Sequence, residues 1–261
     1  MGLSVEEGRT FGRISRLYDQ ARISYPLSLI NDIIAFSGVV SGTVLDVGCG
    51  TGQATIFFAE KGYDVTGLDV SQEMIDIAKV KCASFSNVSF KLDSFEKADI
   101  LKGSLDIVLS GMAWHWVDSN TRYEKIYRSL KDGGIVALFW SHQEKEKSLF
   151  VKDVSVVVDK YAGPNRGPTG SKTAELAELS VDELKKSGLF TNIDFKVYEE
   201  NISFTKKKYL DLIISYGWAQ KLSEEKRRNL VEELQRVSDN YEEPLVVPYK
   251  FVLVLGKKAV N

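Results

Sequence analysis

The fold is decided by one short stretch, Val44-Leu45-Asp46-Val47-Gly48-Cys49-Gly50-Thr51-Gly52-Gln53-Ala54. Its first residues predict a buried strand, its glycines predict a turn, and Ala54, Phe57 and Phe58 form one face of the helix predicted to follow. Glycines allow the backbone to come close to a ligand at the carboxyl end of a strand. The spacing Gly-x-Gly-x-Gly is also typical of dinucleotide-binding folds, so by itself it leaves the ligand open.

Outward from this stretch, short β-branched runs alternate with helical patterns. The helical spacing is clearest from Tyr123 to Leu130, and that helix is predicted to end at the glycines of Lys131-Asp132-Gly133-Gly134. The predicted strands are 43–47, 64–68, 88–92, 105–109, 135–139, 193–198 and 249–255. Because strand and helix alternate, the sequence predicts a parallel α/β sheet with right-handed crossovers.

Three segments fall outside this alternation and are predicted to be mostly helical. We therefore expect a single domain over residues 1–261, a length that one α/β domain can have. Its core is predicted at about 41–142, 179–203 and 244–258, and a helical cap at about 1–40, 143–178 and 204–243. The cap is expected to cover the carboxyl edge of the sheet as a lid. The side chains expected nearest to that edge are Tyr18, Tyr25, Tyr161, Arg166, Tyr216 and Trp218.

The composition excludes several classes of protein. Thirty-four Lys and Arg residues against 36 Asp and Glu give a net charge of -2, which leaves no general basic surface for nucleic acid. Cys49 and Cys82 are too few for a disulfide framework or a zinc site, and we expect no metal. No apolar run approaches the roughly 18 residues of a membrane span, and the first residues do not form a secretory signal. These features predict a soluble, cytoplasmic protein.

Three carboxylates follow three successive predicted strands. Asp46 lies two residues before the first glycine, where a carboxylate would repel a pyrophosphate and favour a ligand with an ammonium and a sulfonium group. Asp69 lies 19 residues after Gly50, where an acidic side chain accepts hydrogen bonds from a ribose diol. Asp93, with Ser94 beside it, is placed to meet an adenine amino group. The set favours S-adenosylmethionine, although any one of these acids is also typical of a helix N-cap.

The same stretches resemble the motifs of the class I S-adenosylmethionine-dependent methyltransferases. Residues 44–54 are similar to motif I of that family, and Gly67-Leu68-Asp69-Val70-Ser71 is similar to its second motif. Asp93-Ser94 and residues 104–110 resemble the ends of the third and fourth strands.

Two further stretches are similar to the type 11 branch of the family, which includes trans-aconitate methyltransferase-like proteins. They are Ala113-Trp114-His115-Trp116-Val117-Asp118 and residues 11–26. The resemblance covers about residues 40–140 and also fits the terminal strand. It implies a Rossmann-like, doubly wound sheet of seven strands, mostly parallel with an antiparallel last strand, together with a helical cap.

The resemblance also implies a set of cofactor-binding residues. The glycines would line the methionine portion, Asp69 the ribose, Val70 the adenine ring, and Ser110 the methionine backbone. Arg22 would reach the cofactor carboxylate. The full set is Asp46, Gly48, Cys49, Gly50, Gly52, Asp69, Val70, Asp93, Ser94, Ser110 and Arg22.

Both histidines follow predicted strands, at the edge where an open parallel sheet binds its ligand. His115 lies between Trp114 and Trp116 after the fourth strand, and His142 follows the fifth strand. We therefore take His115, Trp116 and His142 as candidates for binding the acceptor or transferring a proton. A base is needed only where the attacking atom carries a proton at neutral pH.

The predicted function is transfer of a methyl group from S-adenosylmethionine to a small molecule by in-line displacement, with S-adenosylhomocysteine as product. A non-catalytic S-adenosylmethionine-binding protein, an RNA- or tRNA-modifying methyltransferase and an NAD-dependent dehydrogenase are the alternatives. Asp46 argues against the dehydrogenase. Ser110-Gly111-Met112-Ala113 stands where methyltransferases acting on nucleic-acid amines carry an Asn/Asp-Pro-Pro-Tyr element, so we expect no nucleic-acid partner.

Overall fold

The structure is a computed structural model that describes residues 15–118, 122–163 and 172–259. Seven strands in this part of the chain form one sheet with the order β3-β2-β1-β4-β5-β7-β6. The strands are β1 Thr43–Val47, β2 Asp64–Asp69, β3 Val88–Leu92, β4 Leu105–Gly111, β5 Leu130–Gln143, β6 Phe190–Phe204 and β7 Leu245–Lys258.

Strands β1 to β5 run parallel to one another, and β7 is antiparallel to both β5 and β6. The sequence predictions of a seven-stranded, mostly parallel sheet and of an antiparallel last strand are therefore confirmed. Strands β6 and β7 are longer than predicted, because they pair with each other along most of their length. The outer parts of both strands thus gain backbone hydrogen bonds, which the hydrophobic pattern of the sequence does not predict.

Ten helices accompany the sheet in the described residues. They are α1 Ser15–Ala21, α2 Leu27–Ser37, α3 Thr55–Glu60, α4 Gln72–Lys81, α5 Arg122–Ser129, α6 Leu149–Ala162, α7 Lys172–Ser187, α8 Lys206–Ile214, α9 Gly217–Gln220 and α10 Glu224–Asp239. Short 3-10 turns lie at Trp114–Trp116 and Lys145–Lys147. Four helices begin at a Ser or Thr whose hydroxyl accepts a backbone N–H, which satisfies a donor left over at the helix start.

The predicted glycine stop after the fifth helix is wrong. Helix α5 ends at Ser129, and the next residue, Leu130, already pairs with Leu105 of β4. Gly133 and Gly134 instead lie inside β5, where Gly133 has a φ of +79°. A Cβ on Gly134 would lie 3.0 Å from the Lys131 carbonyl oxygen. The glycines thus allow a bend at the start of the strand and do not end the helix.

The two faces of the sheet are covered by different helices. Along β5, Phe139 packs in a core with residues of α2, α6, α8 and α10, whereas Leu138 and Trp140 pack with residues of α5 and α7. This division follows from the alternation of side chains along a strand. The carboxyl ends of the parallel strands β1 to β5 lie at one edge of the sheet, here called the rim, which carries the candidate site.

Candidate functional site

The glycine loop after β1 adopts a backbone that other residues disfavour. Gly48, Gly50 and Gly52 have φ angles of +69°, +54° and +79°, in the left-handed region. The backbone N–H groups of Gly48 and Cys49 both donate to the Leu68 carbonyl, at 2.8 and 3.0 Å, and anchor the loop on β2. These glycines are therefore required by the path of the chain.

The glycine loop is closed on one side and open on another. A Cβ on Gly48 would collide with the Ala113 side chain, and a Cβ on Gly52 would lie 3.4 Å from that of Ala78. A Cβ on Gly50 would meet no described atom within 4 Å. The Thr51 hydroxyl is buried and has no hydrogen-bond partner in the described part of the chain. The loop thus offers a ligand an open backbone surface at Gly50.

Asp69 fixes the glycine loop from the end of β2. One of its carboxylate oxygens accepts the Gly50 N–H at 2.9 Å, and the other accepts the Ser71 N–H at 2.9 Å. Burial raises the pKa of Asp69, while these backbone hydrogen bonds act in the opposite direction. Asp93 is close by, since its N–H donates to the Asp69 carbonyl at 3.0 Å and its carboxylate accepts the Ser94 N–H at 2.8 Å. Asp69 and Asp93 therefore meet at neighbouring strand ends of the rim.

Asp46 lies deeper than the other two acids. Its side chain is only 1% exposed, and one carboxylate oxygen accepts the Thr55 hydroxyl at 2.6 Å. The pKa of Asp46 is raised to about 7, chiefly by burial and also by the charge of Asp69, while the Thr55 hydrogen bond acts in the opposite direction. The sequence pattern did not reveal Thr55 as its partner. Direct contact of Asp46 with a cofactor stays a prediction.

Two more predicted cofactor residues are packed beneath the rim. The Ser110 hydroxyl is buried and donates to the Val47 carbonyl at 2.8 Å, which ties β4 to β1. Cys49 is buried, its sulfur lies 2.9 Å from the position that a Gly67 Cβ would take, and burial raises the pKa of its thiol. Both residues support the glycine loop from below, and their contact with a ligand stays a prediction.

The Trp114–Trp116 turn follows β4 and packs against the glycine loop through Ala113. Met112 precedes it with a φ of +58°, which is strained for a residue that carries a side chain. Its N–H donates to the Phe139 carbonyl at 2.9 Å, and its sulfur accepts the Ser141 N–H at 3.1 Å. Neighbouring β5 thus holds the strained residue that directs the turn toward the glycine loop.

His115 is enclosed between two tryptophans. Its Nδ1 accepts the indole N–H of Trp140 at 3.3 Å, and its ring centroid lies 4.5 Å from that of Trp116. Burial, together with the positive charge of Arg122, lowers the pKa of His115 to about 4. Trp116 is 41% exposed and is the aromatic residue of the turn that faces solvent. The histidine ring is therefore uncharged at neutral pH.

A buried arginine holds the turn from the other side. Arg122, 7% exposed, donates to the carbonyls of Trp114 and Val117 at 3.2 and 3.1 Å and forms an ion pair with Glu183 of α7. The hydroxyl of Tyr123 also donates to Glu183, at 2.9 Å. Sequence reasoning missed this cluster, because its members have no spacing in common.

His142 lies at the end of β5, opposite Lys250 of β7. Burial lowers its pKa, the Lys250 charge adds to this effect, and Glu144 opposes it. Its buried Nδ1 has no hydrogen-bond partner among residues 15–118, 122–163 and 172–259. A role in catalysis stays a prediction.

Comparison with known proteins bears on this geometry. A family profile described as a methyltransferase domain matches residues 44–134, which contain the glycine loop, Asp69 and the Trp114–Trp116 turn. An uncharacterized methyltransferase of Schizosaccharomyces pombe is 32% identical over 192 residues, which cover 71% of this chain and 72% of the relative. The chain belongs to the class I S-adenosylmethionine-dependent methyltransferases.

Other matches agree with this membership of the methyltransferase family. An uncharacterized methyltransferase of Mycobacterium tuberculosis is 30% identical over 157 residues, or 60% of this chain, and the match spans 62% of that relative's length. The solved structure of the YcgJ protein of Bacillus subtilis shares the fold. It has a TM-score of 0.55 and 18% identity, and the match covers 90% of this chain and 99% of that one.

The methyltransferases of this family use S-adenosylmethionine as methyl donor, and the residues present fit that cofactor. The open backbone at Gly50 leaves room that a side chain would fill, and the Thr51 hydroxyl is a buried polar group still without a partner in the described residues. Among those residues no group of three or more His, Cys, Asp or Glu side chains could hold a metal ion.

Tyr25, which precedes α2, packs on the rim at the end of β4. A Cβ on Gly111 would collide with Tyr25 and Phe139, whose rings meet edge to face at 4.7 Å. The guanidinium of Arg22 lies 4.1 Å over the ring of Tyr216. Whether Arg22 reaches the cofactor carboxylate stays a prediction.

Tyr161 and Trp218, also predicted for the lid, pack against the core that contains Phe139, and their place in a lid stays a prediction. Tyr161 donates to Glu233 of α10 at 2.7 Å, and Trp218 is half-buried against the core. Arg166 and the side chain of Tyr18 lie outside the described residues. None of the helices in the described part is long and apolar enough to cross a bilayer.

A buried polar chain at the end of β5 is not evident from the sequence. Tyr209 of α8 donates to the Gln143 side-chain oxygen at 2.8 Å, and the Gln143 amide donates to the hydroxyl of Tyr249 at 2.8 Å. Burial raises the pKa of both phenols, so both stay protonated. This series of hydrogen bonds joins α8 to the sheet beside the rim.

Proposed function

We propose that this protein transfers the methyl group of S-adenosylmethionine to a small-molecule acceptor by in-line displacement. The observation that carries this proposal is the glycine loop, whose backbone is open at Gly50 while Asp69 holds the Gly50 N–H at 2.9 Å. Such a loop, joined to an acid at the next strand end, suits a nucleoside ligand. The packing of Ala113 against Gly48 brings the Trp114–Trp116 turn next to it.

In this proposal the protein chiefly binds and orients the two reactants. The loop backbone and Asp69 hold the methionine and ribose portions, while Val70, Asp93 and Ser94 surround the adenine. When bound, the cofactor supplies a methyl group already activated by a sulfonium. The chain then has to align the acceptor with that methyl group and exclude water. Both tasks suit the tightly packed rim.

The cap supports an acceptor of small size. Helix α1 packs against α4 on the loop side and against α8 on the cap side, so helices bridge the rim. Tyr25 packs directly on Gly111, the last residue of β4, and on Phe139, its partner in β5. A large polymer would have to displace these contacts, whereas a small molecule would not.

Calorimetric titration tests the cofactor, and a turnover assay tests the activity. We expect the protein to bind S-adenosylmethionine and S-adenosylhomocysteine and to ignore NAD. A panel of acids, phenols and amines is then assayed for formation of S-adenosylhomocysteine. Turnover with one of them supports the proposal, and binding of NAD alone contradicts it. Binding without turnover on the whole panel would favour the non-catalytic alternative.

A further inference from the structure

The contact between Trp140 and His115 determines where the histidine proton lies. An indole nitrogen can only donate a hydrogen bond, and the indole N–H of Trp140 points to Nδ1 of His115 at 3.3 Å. Nδ1 therefore carries no proton, and a neutral imidazole must carry its single proton on Nε2. We infer that Trp140 fixes His115 in the Nε2-protonated tautomer, so that His115 acts as a hydrogen-bond donor and not as a base. The tautomer itself does not depend on the proposed function, whereas its consequence for catalysis rests on that function.

The surroundings keep this arrangement in place. Trp140 is fully buried, and its N–H would lose its hydrogen bond if the histidine ring turned over. Within the described residues, the charged side chains beside the turn include Arg122 with its partner Glu183, and Asp118, whose N–H donates to Glu96 at 2.9 Å. Of these, the Arg122 guanidinium disfavours a positive charge on the His115 ring. His115 thus stays neutral with one fixed donor.

The consequence concerns the methyl acceptor. In the transfer, a lone pair of the acceptor forms a bond to the methyl carbon while the carbon–sulfur bond breaks and its electron pair stays on sulfur. His115 in this tautomer has no free lone pair on Nε2 to take a proton from the acceptor. The acceptor class that fits is one whose attacking atom is already unprotonated at neutral pH, with an oxygen that can accept the Nε2–H.

The tautomer can be measured without knowing the acceptor. Long-range proton–nitrogen correlation spectra of the 15N-labelled protein separate protonated from bare imidazole nitrogens, and the chain has only two histidines. The spectrum of His142→Gln assigns the remaining signal to His115. Because the pKa of His115 is lowered to about 4, we expect Nδ1 without a proton and Nε2 with one over the whole range from about pH 5.5 to about pH 8. Protonation on Nδ1, or a doubly protonated ring near pH 6.5, would overturn the inference.

Two Trp→Phe variants test the role of Trp140 as a positioning residue. Trp140→Phe removes the N–H, and we expect the ratio of the two His115 tautomers to fall about fivefold, the effect of one hydrogen bond. Trp116→Phe, next to the same ring but without a hydrogen bond to it, should leave the ratio unchanged. Equal spectra for both variants would contradict the role of Trp140. If Trp140→Phe does not fold, the wild-type spectrum decides.

Adding S-adenosylhomocysteine to the same sample separates the two proposals. If it does not bind, the proposed function fails while the tautomer measurement stands. If it binds and His115 nevertheless carries its proton on Nδ1, the inference fails and the proposed function stands.

Discussion

The glycine loop and the Trp114–Trp116 turn face each other at the rim, but they are held in different ways. The loop depends on left-handed glycines and on Asp69, only 19 residues from Gly50. The turn depends on Trp140, 25 residues from His115, and on Arg122, whose partner Glu183 is 61 residues further along the chain. The loop is thus specified locally, whereas the turn is specified by tertiary packing.

The two sides also differ in charge. Beside the loop, burial raises the pKa of both Asp46 and Asp69, and the charge of Asp69 also raises the pKa of Asp46. Beside the turn, the buried groups are the cation Arg122 and the neutral His115. From the proposed function we expect a positively charged ligand on the first side, and from the proposed tautomer of His115 we expect an oxygen-bearing acceptor on the second. The comparison predicts that a substitution on the side of the turn leaves cofactor binding by the loop unchanged.

The largest expected effect is on stability, from Asp46→Asn. The pKa of Asp46 is raised to about 7 in the folded state, so the folded protein favours the protonated, uncharged carboxyl. The stability that this form gives is fully present below about pH 4 and is lost as the pH rises through about 7. Removing the charge should stabilise the protein at pH 8 by on the order of 4 kcal/mol, and hardly at pH 4. Denaturant unfolding at the two pH values measures this. An equal effect at both would show that the burial of Asp46 is not the cause.

Asp69→Ala should cause the next largest effect, on cofactor affinity. It removes both carboxylate hydrogen bonds that hold Gly50 and Ser71, and we expect binding of S-adenosylmethionine to weaken about 100-fold. Asp64→Ala is the matched control, since Asp64 is exposed at the opposite end of the same strand. Calorimetry compares the two variants. A similar loss in both would mean that the end of β2 has no special role in binding.

A smaller effect is expected from Gly50→Ala, with Gly62→Ala as its control. Both glycines have positive φ angles, +54° and +83°, and neither has a described atom within 4 Å of an added Cβ. Both variants should therefore lose about 1 kcal/mol of stability. Only the Gly50 variant should also lose affinity for S-adenosylmethionine, by about tenfold, since its methyl group enters the open surface. Equal affinities would place the cofactor away from Gly50.

The difference between the two sides explains what the sequence could predict. The parallel sheet and the loop conformation follow from alternation and glycine spacing, which are local patterns, whereas the antiparallel last strand is implied by the family resemblance. The hydrogen bond from the Thr55 hydroxyl to Asp46 is a buried contact that residue spacing does not predict. The link from Trp140 to His115 joins β5 to the turn that follows β4, and its geometry depends on how β5 lies beside β4. Such contacts become visible only once the strands are packed.

The same limit applies to the ends of elements. The glycines at 133 and 134 have the pattern of a helix stop, yet Leu130 already pairs with Leu105. Strand pairing thus overrides the local signal, because each backbone group buried in the sheet must find a partner. In the cap, the helical stretch predicted over 206–241 divides into α8, α9 and α10.

Glu183→Gln gives the smallest expected effect and tests the independence of the turn most directly. Glu183 is 25% exposed, so the loss of its ion pair with buried Arg122 should cost only about 1 kcal/mol of stability, below the value for a fully buried pair. Glu124→Gln, which breaks the exposed pair with Arg128, should leave stability unchanged. Thermal melting measures both, and calorimetry should give the wild-type affinity for S-adenosylmethionine in each variant. If Glu183→Gln instead weakens cofactor binding as strongly as Gly50→Ala does, the loop and the turn form one cooperative unit. The change in packing around Arg122 would then have affected the loop through the contact between Ala113 and Gly48.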